Sequence, residues 1–394
     1  MSLRYSGVVL FFILIILVSN FIVLKDTSVS YAIALVLLAF VSFYWFMGGN
    51  LSGRLFWFDL IPSFFIVGWV YGVYLGFFRG NSPDYVVRNF AGMFLYIIYF
   101  IMVLSKLDVG RVVRVLFWAA IINAIYSYVF TAWLLFFDGR SYLELLRMYY
   151  SPSLSVLGPF MALSLLFSVK NGSPIVGSKA RSFSFFLFLL IPYAVLSFSK
   201  GYFASVLALV GLALCMVLFR LIRQRKITRA GLLFSFVVIL SATALSVNFW
   251  DELVFSFSIV ESSNAVRSEQ APEIIKEFTL VGKGLGAVLS SGYSRNELAY
   301  GFELSYLSII HKLGFVGVFI CFTYVICLVI PLFHIFFRKE DYYSWLAIGG
   351  MLFVVPSYGN PMIFSPVIVT LHCCAMYLMR QLVLKKGIEL YVQR

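Results

Sequence analysis

Long apolar runs, separated by short polar links, follow one another from end to end of the chain. Runs of roughly 17 to 25 apolar residues have the length that an α-helix needs to cross about 30 Å of hydrocarbon. The alternating pattern of barrel strands does not compete with them. The pattern predicts an all-α polytopic membrane protein with about 12 transmembrane helices. The predicted spans are 7–24, 31–48, 57–78, 91–105, 115–137, 153–169, 183–198, 202–219, 231–249, 304–336, 344–356 and 363–379.

Composition agrees with this pattern. The chain has 394 residues, of which 62% are hydrophobic and 12% are charged, and its mean hydropathy is +0.97. Soluble globular domains are far more polar, so we expect an integral membrane protein. Residues 1–394 are predicted to form a single membrane domain, with one large loop at 250–303 between the ninth and tenth helices. All five cysteines fall inside predicted spans and are expected to pack there.

The basic residues indicate the orientation of the spans, because Lys and Arg are retained on the cytoplasmic side. With Met1 inside, the cytoplasmic links and adjoining helix ends hold 19 Lys and Arg against 5 Asp and Glu. The opposite side holds 11 basic and 12 acidic residues. Both termini are therefore predicted to be cytoplasmic and the 250–303 loop to be on the other side. The net charge of +13 reflects this asymmetry, and we expect no nucleic-acid partner.

The 250–303 loop is the candidate site, because a long loop with structure of its own is more often functional than a linker. APEIIKEF, residues 271–278, predicts a short amphipathic helix with Pro272 near its first turn. GKGLGAV follows at residues 282–288. This segment lacks the spacing of a phosphate-binding loop, and its glycines are expected to let the backbone turn tightly against the membrane domain.

Several classes of enzyme site are disfavoured. The three histidines, His311, His334 and His372, are far apart in the predicted topology and form neither a metal site nor a Ser-His-Asp triad. Carboxylate pairs of the D-x-D kind, which hold the metal of a nucleotide sugar, do not occur. We therefore expect no metal and no other cofactor.

Cations on the loop side are the remaining polar candidates. Arginine presents a fork that binds phosphate in two places, and cations next to spans are held close to the membrane surface. Lys200, in SFSKGYF, lies between two spans with almost no loop. A solvated or headgroup-binding role is the alternative for each of these cations. They are Arg88, Arg140, Arg147, Lys200, Arg267, Lys276, Lys283, Arg295 and Lys312.

Glu303 stands where the chain enters the tenth predicted helix. The macrodipole stabilises a carboxylate in the first turn of a helix, which is one explanation for its position. Tyr300, Tyr306 and Arg295 surround it in sequence and give a polar, aromatic and acidic lip that suits a sugar. His311 lies about 12 Å further along a helix, so we expect it to be structural.

Three short motifs follow one another along the chain. They are SFSKG at 197–201, the loop segment NAVRSEQAPEII followed by G-x-G, and E-x-x-Y-L-x(6)-G-x-x-G starting at Glu303. With the twelve predicted spans, they resemble the O-antigen polymerase (Wzy) and O-antigen ligase superfamily. RMYYSPSLSVLGPF, residues 147–160, also resembles that family's segment entering its sixth span. The resemblance implies a GT-C-like fold.

One position separates the two activities of this superfamily. The ligases typically have His-Asn-x-Tyr-Leu where this chain has Glu303 and Leu304, with Tyr306 and Leu307 in frame. The acidic residue resembles the polymerases. The SFSKG motif usually has Arg in place of Lys200, which keeps the charge but loses the bidentate fork. Arg267 matches the loop arginine that the family is thought to direct at lipid pyrophosphate.

The resemblance implies a polymerase of the bacterial inner membrane, with its site at the periplasmic face. It would transfer a glycan from an undecaprenyl-pyrophosphate donor to a second lipid-linked repeat unit. Arg267 and Lys200, together with Arg147 or Arg140, would hold the pyrophosphate, and Glu303 would accept the proton of the acceptor hydroxyl. The remaining substrate-binding residues would be Arg295, Tyr300 and Tyr306. Membrane lipid and a chain-length regulator protein are further partners to consider, and the lipid supplies the activation without metal or nucleotide.

Two other functions stay open at this point. A ligase would transfer polymer to lipid A core, and a flippase or transporter of lipid-linked oligosaccharide would also have about twelve helices. Transporters tend to place charged residues or broken helices near the bilayer midplane. The polar residues of this chain crowd the predicted outer surface instead, so the sequence favours the enzyme.

Overall fold

The computed structural model describes residues 2–22, 27–47, 49, 53–133, 136, 262–292, 299–302, 304–337, 342–351, 354 and 361–392. Helices make up most of this part of the chain, and it contains no strand. The α-helices are α1 (Ser2–Ile22), α2 (Thr27–Phe46), α3 (Leu60–Phe78), α4 (Pro83–Arg88), α5 (Ile97–Leu104), α6 (Val109–Trp133), α7 (Ser262–Lys276), α8 (Ser305–Leu313), α9 (Phe315–Phe337), α10 (Tyr342–Met351) and α11 (Pro366–Val392). Short 3₁₀ turns cover Trp57–Asp59, Ala91–Tyr96 and Pro361–Phe364.

The prediction of an all-helical membrane protein is confirmed for these residues. Five helical stretches are long and apolar enough to cross a membrane, and α1 and α2 supply two shorter apolar stretches. The five are Trp57–Phe78, Pro83–Leu104, Val109–Tyr126, Phe315–His334 and Pro366–Leu384. The four spans predicted between 153 and 249 lie outside the described residues, so the total of twelve stays a prediction.

The tenth predicted helix, 304–336, is two helices rather than one. α8 ends at Leu313 and α9 begins at Phe315, because Gly314 takes a left-handed φ of 58° that ends the α8 hydrogen-bond ladder. The membrane-crossing part therefore starts at Phe315. Gly314 stands between an amphipathic stretch and the purely apolar part of the predicted span, and the hydropathy pattern joined the two into one helix.

The helix predicted at 271–278 is also longer than expected. α7 begins at Ser262, and Pro272 lies in its interior rather than near its first turn. Proline lacks the amide hydrogen that an interior helix position normally donates, so α7 loses one bond of its ladder there. The polar stretch before Ala271 carries no apolar periodicity, which is why the sequence did not show the earlier start.

Among the described helices, α11 is the most central and contacts α1, α2, α5, α6, α9 and α10. Its residues from Pro366 to Leu384 are the most deeply buried of the five crossing stretches. Four of the five cysteines lie in α9 and α11 with free thiols, as their predicted packing role requires.

The segments that connect the helices make contacts at two opposite ends of the bundle. At one end, the Gly53 amide donates to the Leu104 carbonyl at 3.1 Å, and the Tyr377 hydroxyl donates to the Leu107 carbonyl. At the other end, the Asn81 side-chain amide donates to the carbonyl of Lys283 in the long loop. Among the described residues, the contacts of Gly53 and Leu107 therefore lie at the opposite end of α3 from the contact between Asn81 and Lys283.

Candidate functional site

The helix that carries Arg267 packs against the residues on either side of Glu303. Phe302 and Leu304 form a buried apolar cluster with Ile274, and Ala271 of α7 packs against this cluster. Arg267 lies four residues before Ala271, and residues with this spacing share one face of a helix. The Arg267 side chain is half-buried. α7 and the segment leading into α8 therefore form one packed unit.

Glu303 itself lies outside the described residues, as do Arg140, Arg147, Lys200 and Arg295. Their predicted roles stay predictions.

The two predicted tyrosines lie more deeply than an open sugar-binding lip requires. Only 7% of Tyr300 is exposed, and its ring centroid is 4.9 Å from that of the half-buried Tyr85. The Tyr306 hydroxyl donates a hydrogen bond to the carbonyl of Val354. Burial raises the pKa of the Tyr300 hydroxyl, so it stays protonated at neutral pH. Tyr300 and Tyr306 therefore pack against other protein residues and do not form an open surface for a sugar.

The GKGLG segment is folded tightly against the bundle, which confirms the role predicted for its glycines. Gly282, Gly284 and Gly286 have φ of 89°, 82° and 76°, values that L-residues rarely adopt. A Cβ on Gly284 would lie 2.5 Å from the backbone of Gly76 in α3. Both the backbone conformation and the close approach to α3 therefore require glycine there.

Lys312 is the most unusual charged residue of this region. Its side chain is fully buried, and Nζ donates a 2.5 Å hydrogen bond to the carbonyl of Tyr300. Nζ also lies over the rings of Phe302 at 4.5 Å, Phe90 at 5.0 Å and Tyr300 at 5.8 Å. Rings at these distances attract a cation. Burial lowers the pKa of Lys312 from 10.5 to about 7.

A second ionisable cluster surrounds His311, the residue before Lys312 in α8. Nε2 of the buried His311 is 3.6 Å from the Glu277 carboxylate, and Lys283 is 3.7 Å from it. Burial, reinforced by the Lys312 charge, lowers the pKa of His311 to about 4, so His311 is neutral at pH 7. Burial raises the pKa of Glu277, but hydrogen bonds from Ser290 and the charge of Lys283 outweigh it and lower the pKa overall.

Sequence reasoning counted Lys312 among nine loop-side cations and did not single it out. The aromatic groups around its ammonium come from residues 90, 300 and 302, so its burial is a property of tertiary packing. One signal was present: Lys312 lies in the last turn of the amphipathic helix α8, between His311 and the apolar Leu313. A lysine on the packed side of such a helix is a candidate for burial.

Two charged residues are buried together where α3 begins, at the end of the bundle that also holds the Gly53–Leu104 contact. Asp59 and Arg380 form a buried ion pair with 2.8 Å between Nε and Oδ1, and Tyr99 donates a hydrogen bond to Asp59. The Arg380 guanidinium also donates to the carbonyl of Arg54 at 2.6 Å. These residues are far apart in sequence, and only packing brings the two charges together.

A second polar group lies deeper in the bundle. The Tyr96 hydroxyl is 2.9 Å from Nδ1 of His372 and 3.0 Å from the Tyr324 hydroxyl. All three side chains are fully buried, and Phe65 stacks on Tyr96 at 4.0 Å. The described residues contain no group of three or more His, Cys, Asp or Glu side chains that could hold a metal ion.

No protein-family model, no curated protein and no solved structure matches this chain. Function is therefore argued from the site itself.

Proposed function

We propose that the chain is a glycosyltransferase that polymerises a lipid-linked surface polysaccharide, in the manner of the O-antigen polymerases that its motifs resemble. The observation that supports this proposal is the packing of α7 against Phe302 and Leu304. It links the helix of Arg267 to both sequence neighbours of Glu303. A phosphate-binding cation and a general base are the two groups that the reaction needs.

In the proposed reaction, the acceptor hydroxyl oxygen attacks C1 of the donor sugar. The bond from C1 to the phosphate oxygen breaks, and undecaprenyl pyrophosphate leaves with the electron pair. Arg267 and Lys200, with Arg140 and Arg147, stabilise the charge that grows on the pyrophosphate. Glu303 accepts the hydroxyl proton. The donor lipid is already activated, so the proposal invokes neither metal nor nucleotide.

Lys312 fits this reaction as an ammonium group held beside the Tyr300–Phe302 segment, and it carries its positive charge below its pKa of about 7. A cation close to a carboxyl group lowers its pKa and keeps it ready to accept a proton. The apolar surroundings strengthen this effect, because they screen charge less than water does.

The decisive experiment is incubation of the purified protein with undecaprenyl-pyrophosphate-linked repeat units alone. We expect a ladder of products spaced by one repeat. Glu303→Gln should lower the rate by about 10² to 10⁴, the usual contribution of a general base. Arg267→Gln should also lower the rate, whereas Lys276→Gln on the exposed last turn of the same helix should not. Wild-type chain length from Glu303→Gln would remove Glu303 from the mechanism.

A transporter of lipid-linked oligosaccharide is the second candidate, and one observation favours it. The break at Gly314 and the buried Lys312 beside it give a discontinuous helix next to a charge, a combination found at transporter binding sites. The same incubation separates the two functions, because a transporter leaves the glycan covalently unchanged. Transfer only to added lipid A core would indicate a ligase.

A further inference from the structure

The segment from Leu280 to Leu285 runs beside α3 rather than beyond its end. The Leu285 amide donates to the Gly72 carbonyl at 2.9 Å, and the Tyr71 hydroxyl donates to the Val281 carbonyl at 2.7 Å. Gly72 lies six residues before the end of α3 at Phe78, which is about 9 Å along the helix axis. The loop therefore reaches back along a helix that is apolar enough to cross a membrane.

The backbone of this segment is bonded to protein at close intervals. The amides of Lys283 and Gly284 donate to the carbonyls of His311 and Lys312 at 3.0 and 2.9 Å. The Leu280 carbonyl accepts from the Phe315 amide at 2.8 Å, and the Asn81 side chain donates to the carbonyls of Lys283 and Leu285. Non-helical backbone is tolerated at membrane depth only when protein satisfies its polar groups in this way.

The most exposed side chains of this segment are apolar, whereas the Lys283 side chain is 32% exposed and lies 3.7 Å from the Glu277 carboxylate. Leu280 is 74% exposed and Val281 is 51% exposed. Phe315, which follows Gly314 and starts α9, is 58% exposed, and Phe319 one turn later is also exposed. Leu280 and Phe315 are joined by a backbone hydrogen bond, so their exposed side chains extend one apolar surface. That surface continues along α9, which is itself apolar enough to cross a membrane.

We propose that Leu280 and Val281 lie in the hydrocarbon layer and contact lipid acyl chains, so that residues 280–285 form a re-entrant turn. In water, this much exposed apolar surface beside an exposed apolar helix would be unfavourable. In lipid, it extends the surface that α9 already presents. The proposal is independent of the proposed function, because it concerns the depth of the turn and not the chemistry beside it.

Nitroxide labels on single cysteines test this depth directly. The full-length protein, with its five native cysteines replaced, carries the label at Leu280→Cys or Val281→Cys and is reconstituted into phosphatidylethanolamine and phosphatidylglycerol vesicles. Collision rates are measured with oxygen, which concentrates in lipid, and with a water-soluble nickel chelate. Val67→Cys on the exposed side of α3 gives the lipid reference, and Lys276→Cys in the last turn of α7 gives the water reference.

We expect the oxygen-to-nickel ratio at Leu280 and Val281 to match that at Val67 and to exceed that at Lys276. Ratios at both positions equal to that at Lys276 would overturn the proposal. A low ratio at Val281 alone would confine the lipid contact to Leu280 and overturn it for Val281. The measurement does not depend on glycan transfer, so failure of the proposed reaction leaves its outcome unaffected.

Discussion

The Lys312 ammonium donates a hydrogen bond to the carbonyl oxygen of Tyr300, twelve residues earlier in the chain. This contact ties α8 to the segment that leads into Glu303. The ring of Phe302, the residue immediately before Glu303, lies 4.5 Å from the same ammonium. One buried charge therefore contacts the main chain and a side chain of the Tyr300–Phe302 segment.

Replacing Lys312 with methionine should reduce activity more than it reduces stability. Methionine fills a similar volume among the three rings but cannot donate to the Tyr300 carbonyl. Without this hydrogen bond the segment that leads into Glu303 is held less firmly, and a misplacement of about 1 Å can cost a rate about 10²-fold. We therefore expect the polymerisation rate of Lys312→Met to fall by about tenfold or more. The rate on purified lipid-linked repeat units measures the effect.

The matched control for this variant is Lys276→Met, which removes an exposed cation and should keep the wild-type rate. The pH dependence of the polymerisation rate shows whether Lys312 acts on the proposed base or only supports the fold. The informative part is the acid limb, where the rate falls as the base becomes protonated. Loss of a nearby positive charge raises the pKa of a carboxyl group, so the limb should move to higher pH in Lys312→Met only. An unchanged limb in a folded Lys312→Met protein would count against any role for the ammonium near the proposed base.

Stability should rise with pH because of the same lysine. Burial lowers the pKa of Lys312 from 10.5 to about 7, so the unfolded chain binds more protons than the folded chain between these values. The free energy of unfolding therefore increases as pH rises through this interval. Thermal unfolding in detergent at about pH 7 and pH 9 should show a larger gain in the wild type than in Lys312→Met. His311 contributes mainly below this window, because its pKa falls from 6.5 to about 4 in the fold. Parallel curves for the two proteins would contradict the prediction.

Gly284→Ala should destabilise the protein more than the same change at Gly292. Both glycines have positive φ, so both variants bear the cost of a left-handed alanine, about 1 to 2 kcal/mol. Only at Gly284 does the new methyl group meet α3, 2.5 Å from Gly76 backbone atoms, whereas nothing lies within 4 Å at Gly292. Overpacking adds roughly 1 to 3 kcal/mol at Gly284. Melting temperatures of the two variants give the comparison, and equal values would mean that the turn does not press on α3.

The Asp59–Arg380 pair should be sensitive to loss of either partner. Asp59→Asn leaves a buried guanidinium without its counter-charge, which costs about 3 to 5 kcal/mol. The double variant Asp59→Asn with Arg380→Met removes both charges and should recover much of that loss. The control is Asp84→Asn, because the Asp84–Arg88 pair is 58% and 65% exposed at its two side chains. An exposed pair contributes about 0 to 1 kcal/mol. If the loss of unfolding free energy in the double variant equalled the sum of the losses in the two single variants, the two residues would not be coupled.

Hydropathy located the helices of the described residues well, because their length and apolar content are local properties. The third predicted span, 57–78, coincides with the structure. The break at Gly314 escaped the same reasoning, because it depends on a hydrogen bond from Phe315 to Leu280, 35 positions earlier in the chain. Local glycine chemistry did predict that GKGLG turns tightly against the bundle.

The candidate site was less predictable than the fold. Arg267 could be chosen from the sequence, and its helix does pack beside the neighbours of Glu303. The burial of Lys312 and the pairing of Asp59 with Arg380 could not be derived from the sequence. Both arise where elements from separate parts of the chain meet, and their energies depend on the loss of water there.

Main-chain atoms hold most of the turn at 280–285 in place. Its bonds to Gly72, His311, Lys312 and Phe315 use no side chain of the turn itself. Mutations that change Val281 or Lys283 can therefore accumulate without altering the path of the loop, provided that the glycine spacing survives. The backbone path of such a turn can therefore be retained even when most of its side chains are replaced.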